Sequence, residues 1–291
     1  MRVAVIGANG QLGSDVVAAF AGRGDTVVEL NHDAVELTDR ASLAAALERA
    51  DAPLVVNTAA MHHVDKCEEN PAQAFAVNAL GVRHLALECA ARNSQLVQIS
   101  TDYVFDGSKR APYTETDAPL PLNAYGNSKL AGEYFVRTRC PRHYVLRISA
   151  IFGRAPCRAK GGNNFVTTML KLARERDELR VVDSEIVSPS YTVDVARQMV
   201  RLVDSGRFGL YHATGQGQCS WYRFAQEIFR LAGLSTKVSA AGANEFPAKT
   251  PRPTYSVLDN EALRRAGLDV MRPWEQALAA YLAEIGVTRS A

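Results

Sequence analysis

The sequence predicts an α/β protein in which a doubly wound parallel sheet is followed by a smaller C-terminal α/β lobe. Two observations predict this class. Short β-branched apolar runs alternate with helical patterns through the first half, and a glycine-rich turn directly follows the first apolar run. Continuous apolar runs are typical of parallel strands that helices cover on both faces. Right-handed crossovers would join these strands into one sheet with helices on either side.

Predicted elements follow one another regularly through residues 1–150, which we interpret as the first domain. The predicted strands span residues 2–6, 26–30, 54–57, 96–100 and 144–148. The predicted helices, in which apolar residues recur every three or four positions, span residues 11–21, 40–50, 71–91 and 127–137. This alternation is typical of strand–helix–strand units.

Residues 151–291 are less regular, and we interpret most of them as a substrate-binding lobe. Helices are predicted at 164–176, 192–204, 220–232 and 274–285, with short strands near 180–182 and 209–213. Glycine and proline punctuate this half more heavily than the first. We expect a segment of about residues 184–213 to return to the first domain. The crevice between the two lobes is then the expected ligand site.

Composition and charge narrow the classes of partner. The 291 residues carry 33 basic and 31 acidic side chains, and no block of like charges is present. This balance gives little support for nucleic acid or an anionic membrane as a partner. The five cysteines are scattered and form no C-x-x-C pair, which favours reduced thiols and no metal site. No apolar run reaches the length of a signal-peptide core or a membrane span, so we expect a cytoplasmic protein.

Glycines recur three apart where the first predicted strand meets the first predicted helix, at Gly7, Gly10 and Gly13. Glycine allows a tight turn here, a close approach of the backbone to a pyrophosphate, and close packing of the helix on the strand. The N-terminus of the helix then offers free amides and a positive dipole end to the phosphates. This context predicts that residues 1–150 form a dinucleotide-binding domain.

The residue at the end of the second predicted strand bears on which dinucleotide is used. An acidic side chain there would bind the adenosine ribose of NAD, and this chain has Asn31 instead. Without that acid, a 2′-phosphate on the ribose is not repelled. The sequence therefore favours NADPH, with NADH or dual use left open, and the nearby guanidinium candidates for the phosphate are Arg23 and Arg40.

A Ser-Thr pair at the end of the fourth predicted strand, Ser100-Thr101, precedes Tyr125 and Lys129. A tyrosine and a lysine four positions apart share one helical face, so the ammonium can lie near the phenol and lower its pKa. Such a phenol can exchange a proton with a carbonyl or an alcohol. Thr101 is expected to hydrogen-bond the same substrate oxygen. We predict Thr101, Tyr125 and Lys129 as the catalytic residues.

Together these motifs resemble the extended short-chain dehydrogenase/reductases, which have a Rossmann fold, and among them the RmlD-type reductases that act on dTDP-4-dehydrorhamnose. The resemblance spans nearly the whole chain. The matching stretches are 7–13, 57–66, 100–105, 121–133, 162–165 and 252–253. Related sugar-nucleotide dehydratases carry a glutamate after the Thr-Asp pair, whereas this chain has Tyr103, which disfavours dehydration.

The resemblance implies reduction of the C4 keto group of a nucleotide-linked 4-keto-6-deoxy sugar, above all dTDP-4-dehydro-L-rhamnose, by hydride transfer from NAD(P)H. Tyr125 would donate the proton, and Lys129 would also hold the nicotinamide ribose. The other implied cofactor contacts are Gly10, Gln11 and Leu12 at the pyrophosphate, Glu36 and Leu37 near the adenine, and Ser100, Ala59, Ala60 and Met61 along the cofactor. The implied substrate contacts are Asp102 and Ala150 at the sugar, and Lys160, Asn164 and Arg252 at the nucleotide diphosphate.

Two positions depart from the family pattern. Enterobacterial members carry a tryptophan that lines the sugar pocket, whereas this chain has Ala150. The loss of that stacking surface leaves other 4-keto-6-deoxy sugars open as substrates. Val193 stands where some members have a carboxylate for Mg²⁺, so we expect no metal requirement.

Two further functions remain open on the same scaffold. A nucleotide-sugar epimerase would retain NAD⁺ and consume no net cofactor. A non-catalytic regulatory relative would have no chemical reason to keep Thr101, Tyr125 and Lys129 together. The reductase is the leading interpretation, and a homodimer is left open because the sequence carries no signature of the oligomeric state.

Overall fold

The structure, a computed structural model, describes residues 1–157, 161–242, 245–246 and 248–287. Its strands are β1 (Arg2–Ile6), β2 (Thr26–Leu30), β3 (Leu54–Asn57), β4 (Gln95–Thr101), β5 (His143–Ile148), β6 (Ile151–Phe152), β7 (Glu178–Val182), β8 (Ile186–Val187), β9 (Ser190–Tyr191), β10 (Gly209–His212), β11 (Cys219–Ser220) and β12 (Lys237–Ala241). Its α-helices are α1 (Gln11–Gly22), α2 (Arg40–Ala50), α3 (Val64–Glu69), α4 (Pro71–Phe75), α5 (Val82–Ala91), α6 (Ala124–Arg139), α7 (Phe165–Ala173), α8 (Thr192–Ser205), α9 (Trp221–Ala232), α10 (Glu261–Arg265) and α11 (Trp274–Glu284). A π-helical stretch, Ala76–Gly81, joins α4 to α5, and a short 3-10 turn, Asp102–Val104, follows β4.

A parallel sheet forms the centre of the molecule, and in the described part of the chain it has six strands in the order β2-β1-β3-β4-β5-β10. The chain changes direction across the sheet after β2, since β3 pairs with the other side of β1. The carboxyl ends of β1 and β3 therefore flank a topological switch point, where open α/β sheets bind their ligands. The predicted fold class is confirmed, and the first five strands match their predicted positions to within one residue.

Apolar side chains fill both faces of this sheet because successive strand residues point to opposite sides. On one face, Val5 packs with Val16 of α1 and Met199 of α8. On the other face, Ile6 packs in a cluster with Leu85 of α5. Each fully buried side chain of this size contributes about 1.5–3 kcal/mol relative to exposure. The two apolar layers therefore fix the strand ends on which the site is built.

The C-terminal half contributes to both lobes. Helix α8 packs against α1, and β10 pairs with β5 at the edge of the sheet. The smaller lobe has its own aromatic core, in which Phe224 of α9 stacks on Phe165 of α7 and meets Trp274 of α11 edge-on, with ring centroids 5.6 Å apart in both pairs. Strands β7 and β12 form a separate parallel pair in this half.

The predicted helix at 71–91 is divided by the π-helical stretch. Asn78 lies in this stretch and packs closely against α6. A Cβ added to Gly132 of α6 would lie only 2.3 Å from the carbonyl oxygen of Asn78. Elements such as α3, α10 and β12 were not predicted, because they are too short or too polar to show a periodic pattern.

None of the described helices combines the length and apolar character needed to cross a membrane.

Candidate active site

A cavity of about 1020 Å³ opens at the carboxyl ends of β1, β3, β4 and β5 and is bounded on its other side by residues of the C-terminal lobe. Its volume lies at the top of the roughly 300–1,000 Å³ range of small-molecule sites, which suits a cofactor together with a second ligand. Apart from the two guanidinium candidates Arg23 and Arg40, every predicted site residue in the described part of the chain lines this cavity. Lys160 lies outside the described residues. The contacts of these residues with ligands remain predictions.

The glycine turn after β1 has the geometry that a dinucleotide phosphate requires. Gly7 has a φ of 76°, and a Cβ there would lie 2.9 Å from Thr58 Oγ1. A Cβ on Gly13 would lie 2.1 Å from the carbonyl oxygen of Gly7, so only glycine lets α1 pack against the turn. Helix α1 begins at Gln11, and Gly10 caps it without a side chain, which leaves the first-turn amides open to an anion. The turn therefore fits the phosphates of a dinucleotide.

Asn31, at the end of β2, supports the glycine turn. Its Oδ1 accepts a hydrogen bond from the backbone N–H of Asn9 at 2.9 Å. Glu36, on the same wall of the cavity, accepts bonds from the backbone N–H and the hydroxyl of Thr38, and these bonds lower the pKa of its carboxyl. Leu37 adds an apolar surface to this wall. Asn31 itself brings no negative charge to the expected position of the adenosine ribose.

The two guanidinium candidates for a 2′-phosphate are engaged elsewhere. Arg23 pairs with Asp25 and Asp204, and Arg40 pairs with Glu88 at 3.4 Å. Within the described residues, neither arginine lines the cavity. The two arginines were candidates because they flank β2 in the sequence, close to the expected adenosine ribose. In the structure, their side chains face acidic partners instead.

One buried side chain holds the segment after β3, Ala59 to Met61, against α6. Asn78 is 1% exposed, accepts a bond from the N–H of Met61 at 2.9 Å and donates to its carbonyl at 2.8 Å. The same amide donates to Ser128 Oγ at 3.0 Å, and Ser128 donates to the carbonyl of Tyr125. The π-helical stretch therefore ties the loop after β3 to the helix that carries Tyr125. Such π-turns are frequent at functional sites.

Thr101, at the end of β4, and Tyr125, in the first turn of α6, meet on the cavity wall. The phenol of Tyr125 faces the hydroxyl of Thr101, and burial raises the pKa of this phenol above its ordinary value. The expectation that Lys129 lowers this pKa is not met, because desolvation of the buried phenol outweighs the other influences. Tyr125 therefore holds its proton at neutral pH, as a proton donor must.

Lys129 lies one turn further along α6 and is 4% exposed. Burial lowers the pKa of its ammonium to about 8, although the carboxylate of Glu133 acts in the opposite direction. The ammonium donates to the carbonyl of Ile99 at 2.6 Å. Helix α6 thus presents a protonated phenol and a buried amine to the cavity. The two side chains lie four residues apart on one face of the helix, as the sequence predicted.

A buried ion pair supports this arrangement. Glu133 of α6 and Arg147 of β5 are each 1% exposed, and the guanidinium bonds both carboxylate oxygens, at 2.7 and 2.9 Å. The hydroxyl of Ser100 on β4 also donates to Glu133. The side chains of this pair therefore join α6 to the two strands next to it.

Asp102, directly after Thr101, is a buried carboxyl surrounded by hydroxyl groups. Its Oδ1 accepts from the Thr101 hydroxyl at 3.0 Å, and its Oδ2 accepts from Ser149 at 2.8 Å and from Ser256 at 2.6 Å. Burial raises the pKa of Asp102, although each of these hydrogen bonds acts to lower it. Neither serine was predicted as a site residue.

Arg252 and Ala150 also line the cavity. The guanidinium of Arg252 lies 3.5 Å from Asp65 of α3 and keeps about a third of its surface exposed. Ala150 has a φ of 44°, in the left-handed region that an alanine seldom adopts. A strained backbone of this kind tends to occur at functional sites.

Asn164, predicted as a substrate contact, has a structural role. It caps α7 by accepting a bond from the N–H of Thr167 at 2.9 Å. Its amide also donates to the carbonyl of Gly153 at 2.9 Å and bonds the hydroxyl of Tyr281 at 3.0 Å. The side chain therefore fixes the start of α7 at the edge of the cavity.

Sequence reasoning missed an aromatic part of the cavity wall. Phe165 and Trp221 pack with ring centroids 4.6 Å apart, and the indole N–H of Trp221 donates to Glu185 at 3.1 Å. All three side chains line the cavity. An amphipathic helix normally turns its aromatic residues into the core, so the pattern alone did not mark them as ligand contacts.

The described ranges contain no group of three or more His, Cys, Asp or Glu side chains arranged to hold a metal ion. All five cysteines are buried and form no disulfide.

Comparison with known proteins extends these observations. The family described as RmlD substrate binding domain matches residues 1–287. A dTDP-4-keto-6-deoxy-D-glucose reductase of Streptomyces niveus is 38% identical over 279 residues, which cover 95% of both chains. A dTDP-4-dehydrorhamnose reductase structure from Clostridium acetobutylicum superposes with a TM-score of 0.94 at 38% identity, covering 98% of this chain and 100% of that one. Another, from Bacillus anthracis and in complex with NADP, gives 0.92 at 34% identity, covering 97% and 99%.

The fold and these comparisons define an oxidoreductase of the extended short-chain dehydrogenase/reductase class. Within that class, the chain belongs to the RmlD family. The resemblance predicted from the sequence motifs is confirmed.

Proposed function

We propose that this protein reduces the C4 keto group of a nucleotide-linked 4-keto-6-deoxy sugar, with dTDP-4-dehydro-L-rhamnose as substrate and NADPH as hydride donor. The observation that carries the proposal is the meeting of Thr101, Tyr125 and Lys129 on the wall of a cavity that begins at the glycine turn. The names of the relatives support the substrate, and the NADP in the Bacillus anthracis structure supports the cofactor. We expect the reaction to take place in the cytoplasm.

The glycine turn and the strand ends would bind the cofactor. Gln11 and Leu12 would donate first-turn amides to the pyrophosphate, where the helix dipole favours negative charge. Glu36 and Leu37 would border the adenine. Lys129 would hold the nicotinamide ribose. Bound in this way, the reduced nicotinamide supplies the hydride.

Thr101 and Tyr125 would act on the keto oxygen of the sugar. Negative charge develops on this oxygen as hydride reaches C4, and hydrogen-bond donors aimed at it stabilise the transition state. Tyr125 would donate its proton to the oxygen, and Thr101 would donate a hydrogen bond. The ammonium of Lys129 would stabilise the phenolate that remains, because opposite charges attract strongly in a desolvated site.

The opposite wall of the cavity would bind the nucleotide sugar. Arg252 would pair with the diphosphate, to which its fork of donors is suited. Asp102 would accept from a sugar hydroxyl. The aromatic pair of Phe165 and Trp221 offers a flat apolar surface for a nucleobase.

A second candidate substrate is dTDP-4-keto-6-deoxy-D-glucose. Ala150 provides no stacking surface for the sugar, and the Streptomyces niveus relative is named for this substrate. The two sugars carry the same groups and differ in configuration at ring carbons, so the walls next to Ala150 would decide between them.

The test follows the absorbance of the reduced nicotinamide when purified protein receives NADPH or NADH together with each keto sugar. We expect NADPH oxidation with dTDP-4-dehydro-L-rhamnose, with dTDP-L-rhamnose as the product. Tyr125→Phe should lower kcat by about 10²–10⁴-fold and still bind NADPH. Turnover only with dTDP-4-keto-6-deoxy-D-glucose would assign the second substrate. Tightly retained NAD⁺ and interconversion of sugars without net oxidation would indicate an epimerase and contradict the proposal.

A further inference from the structure

Three hydroxyl groups converge on the buried carboxyl of Asp102. Thr101 precedes it in the chain, Ser149 follows β5, and Ser256 comes from the C-terminal segment, 154 residues further on. Asp102 is 4% exposed and Ser149 and Ser256 are 2% and 1% exposed, so water contributes little to its solvation. The two serines share Oδ2, while Thr101 alone bonds Oδ1.

The chemistry of these groups fixes the direction of each hydrogen bond. An ionised carboxylate only accepts, and each hydroxyl has a single proton to donate. The proton of Thr101 is therefore directed at Asp102, and its oxygen accepts from the N–H of Tyr103 at 3.2 Å. The phenol of Tyr125 faces the same hydroxyl. In this arrangement Thr101 has no proton for a substrate oxygen.

Reduction by the mechanism proposed above requires Thr101 to donate to the keto oxygen, so its hydroxyl has to leave Asp102. We propose that Ser149 and Ser256 are positioning residues, which keep two hydrogen bonds on Asp102 while the Thr101 hydroxyl turns from this carboxylate to the substrate oxygen. The inference rests on the proposed function, because it concerns the keto oxygen of that reaction.

The free-energy cost of rotating the Thr101 hydroxyl away from Asp102 explains why two serines are needed. A buried carboxylate that loses a hydrogen bond is left partly desolvated, and hydrogen bonds to charged groups are stronger than those between neutral groups. The two donors that remain on Oδ2 still favour the ionised form of Asp102 when Oδ1 is released. Oδ1 then becomes available to a hydroxyl group of the bound sugar.

Ser256 is held in place by the backbone around it. Its N–H donates to the carbonyl of Ile186 at 2.9 Å, and the N–H of Ile186 donates to the carbonyl of Thr254 at 2.9 Å. Asn123, the cap of α6, donates to the carbonyl of Pro251 in the same segment. The donor therefore belongs to a fixed scaffold that also carries Arg252.

The surroundings of Asp102 make the proposal testable by pH. The titratable groups that interact with it are the phenols of Tyr103 and Tyr125, and the charged side chain of Arg252 acts on Tyr103. Burial raises the pKa of Asp102, and the bonds from Ser256, Ser149 and Thr101 lower it. Removal of one serine hydroxyl raises the pKa further, so the loss of activity on acidification begins at a higher pH.

The experiment compares Ser256→Ala and Ser149→Ala with Tyr255→Phe as a matched control. Tyr255 lies in the same segment, and its exposed hydroxyl bonds Gln218 away from Asp102. Each alanine variant should lose about tenfold in kcat, the equivalent of one hydrogen bond of roughly 1.4 kcal/mol. The KM for the sugar and the affinity for NADPH should change less than twofold, and the acid limb of kcat should move to higher pH. Tyr255→Phe should have the kcat and the acid limb of the wild type. Ser256→Thr keeps a hydroxyl and should restore both kcat and the pH of the acid limb.

An unchanged kcat, or a lower kcat with an unmoved acid limb, would overturn the inference. The two serines lie on different elements, so if one alanine variant does not fold, the other decides the question by the same criteria. Absence of turnover in the wild-type protein would instead overturn the proposed function, which separates the two failures.

Discussion

Lys129 donates from its buried ammonium to the carbonyl oxygen of Ile99 at 2.6 Å, which links the helix that carries Tyr125 to the strand that ends in Thr101. The bond directs the positive charge towards the carboxyl end of β4, where the cavity opens. It also places this charge in surroundings that disfavour it, because burial lowers the pKa of Lys129 to about 8. The charge state of this amine is therefore expected to change close to the working pH.

The first prediction is an alkaline limb in the activity of the enzyme with NADPH bound. The ammonium is protonated below pH 8 and loses its charge above it, since its pKa is about 8. We expect kcat/KM to fall as the pH rises through this value. The check is the pH profile of kcat/KM at saturating NADPH. A profile that stays flat to the ordinary pKa of a lysine, about 10.4, would contradict the role of Lys129.

The second prediction concerns the glycine turn. Gly13→Ala should weaken NADPH binding by at least about tenfold and cost about 1–3 kcal/mol of stability, because its Cβ would lie 2.1 Å from the Gly7 carbonyl oxygen. Gly22→Ala is the matched control, since it lies in the same helix and no atom comes within 4 Å of its added Cβ. The control should keep NADPH affinity and gain up to about 1 kcal/mol. Titration of NADPH fluorescence and denaturant unfolding measure the two effects. Equal affinities in both variants would exclude a phosphate role for the turn.

The third prediction concerns the choice of cofactor. Asn31→Asp keeps an acceptor for the N–H of Asn9 but adds a negative charge at the end of β2. Repulsion of the 2′-phosphate should lower NADPH affinity by about tenfold, or about 1.4 kcal/mol, while NADH binding is kept or improved. Binding of each nucleotide is measured directly. A variant that loses affinity for both cofactors equally would show that the turn, and not the charge, was disturbed.

The fourth prediction concerns the buried ion pair. Glu133→Gln leaves the guanidinium of Arg147 without its carboxylate, so we expect a loss of about 3–5 kcal/mol in the free energy of unfolding. Glu227→Gln breaks a solvent-exposed pair with Arg230 on the surface of α9 and should leave the free energy of unfolding nearly unchanged. Denaturant unfolding of both variants gives the comparison. Similar losses would contradict the special contribution of the buried pair.

Much of the fold and the catalytic set could be predicted because the signals are local in sequence. The strand runs, the glycine turn and the spacing of Tyr125 and Lys129 each lie within a few residues, so one element determines them. The break of the predicted helix at Asn78 was missed because it depends on contacts with Met61 and with Ser128 on α6, which no periodicity records.

The remaining features depend on contacts between distant parts of the chain. Ser256 reaches Asp102 across 154 residues, and Trp221 meets Phe165 only because two helices of the smaller lobe pack together. The pKa of Tyr125 was predicted from its neighbour on the helix, yet its burial depends on the whole site. Single-sequence reasoning identifies the groups that react more readily than the groups that position them.

The most direct measurement uses NADPH that carries deuterium at the transferable position of the nicotinamide, with dTDP-4-dehydro-L-rhamnose as substrate. The account predicts dTDP-L-rhamnose one mass unit heavier, with the deuterium at C4, and no such product from Tyr125→Phe. An unlabelled product, or deuterium that stays in the nicotinamide while the sugar changes configuration, would contradict the transfer of hydride to C4.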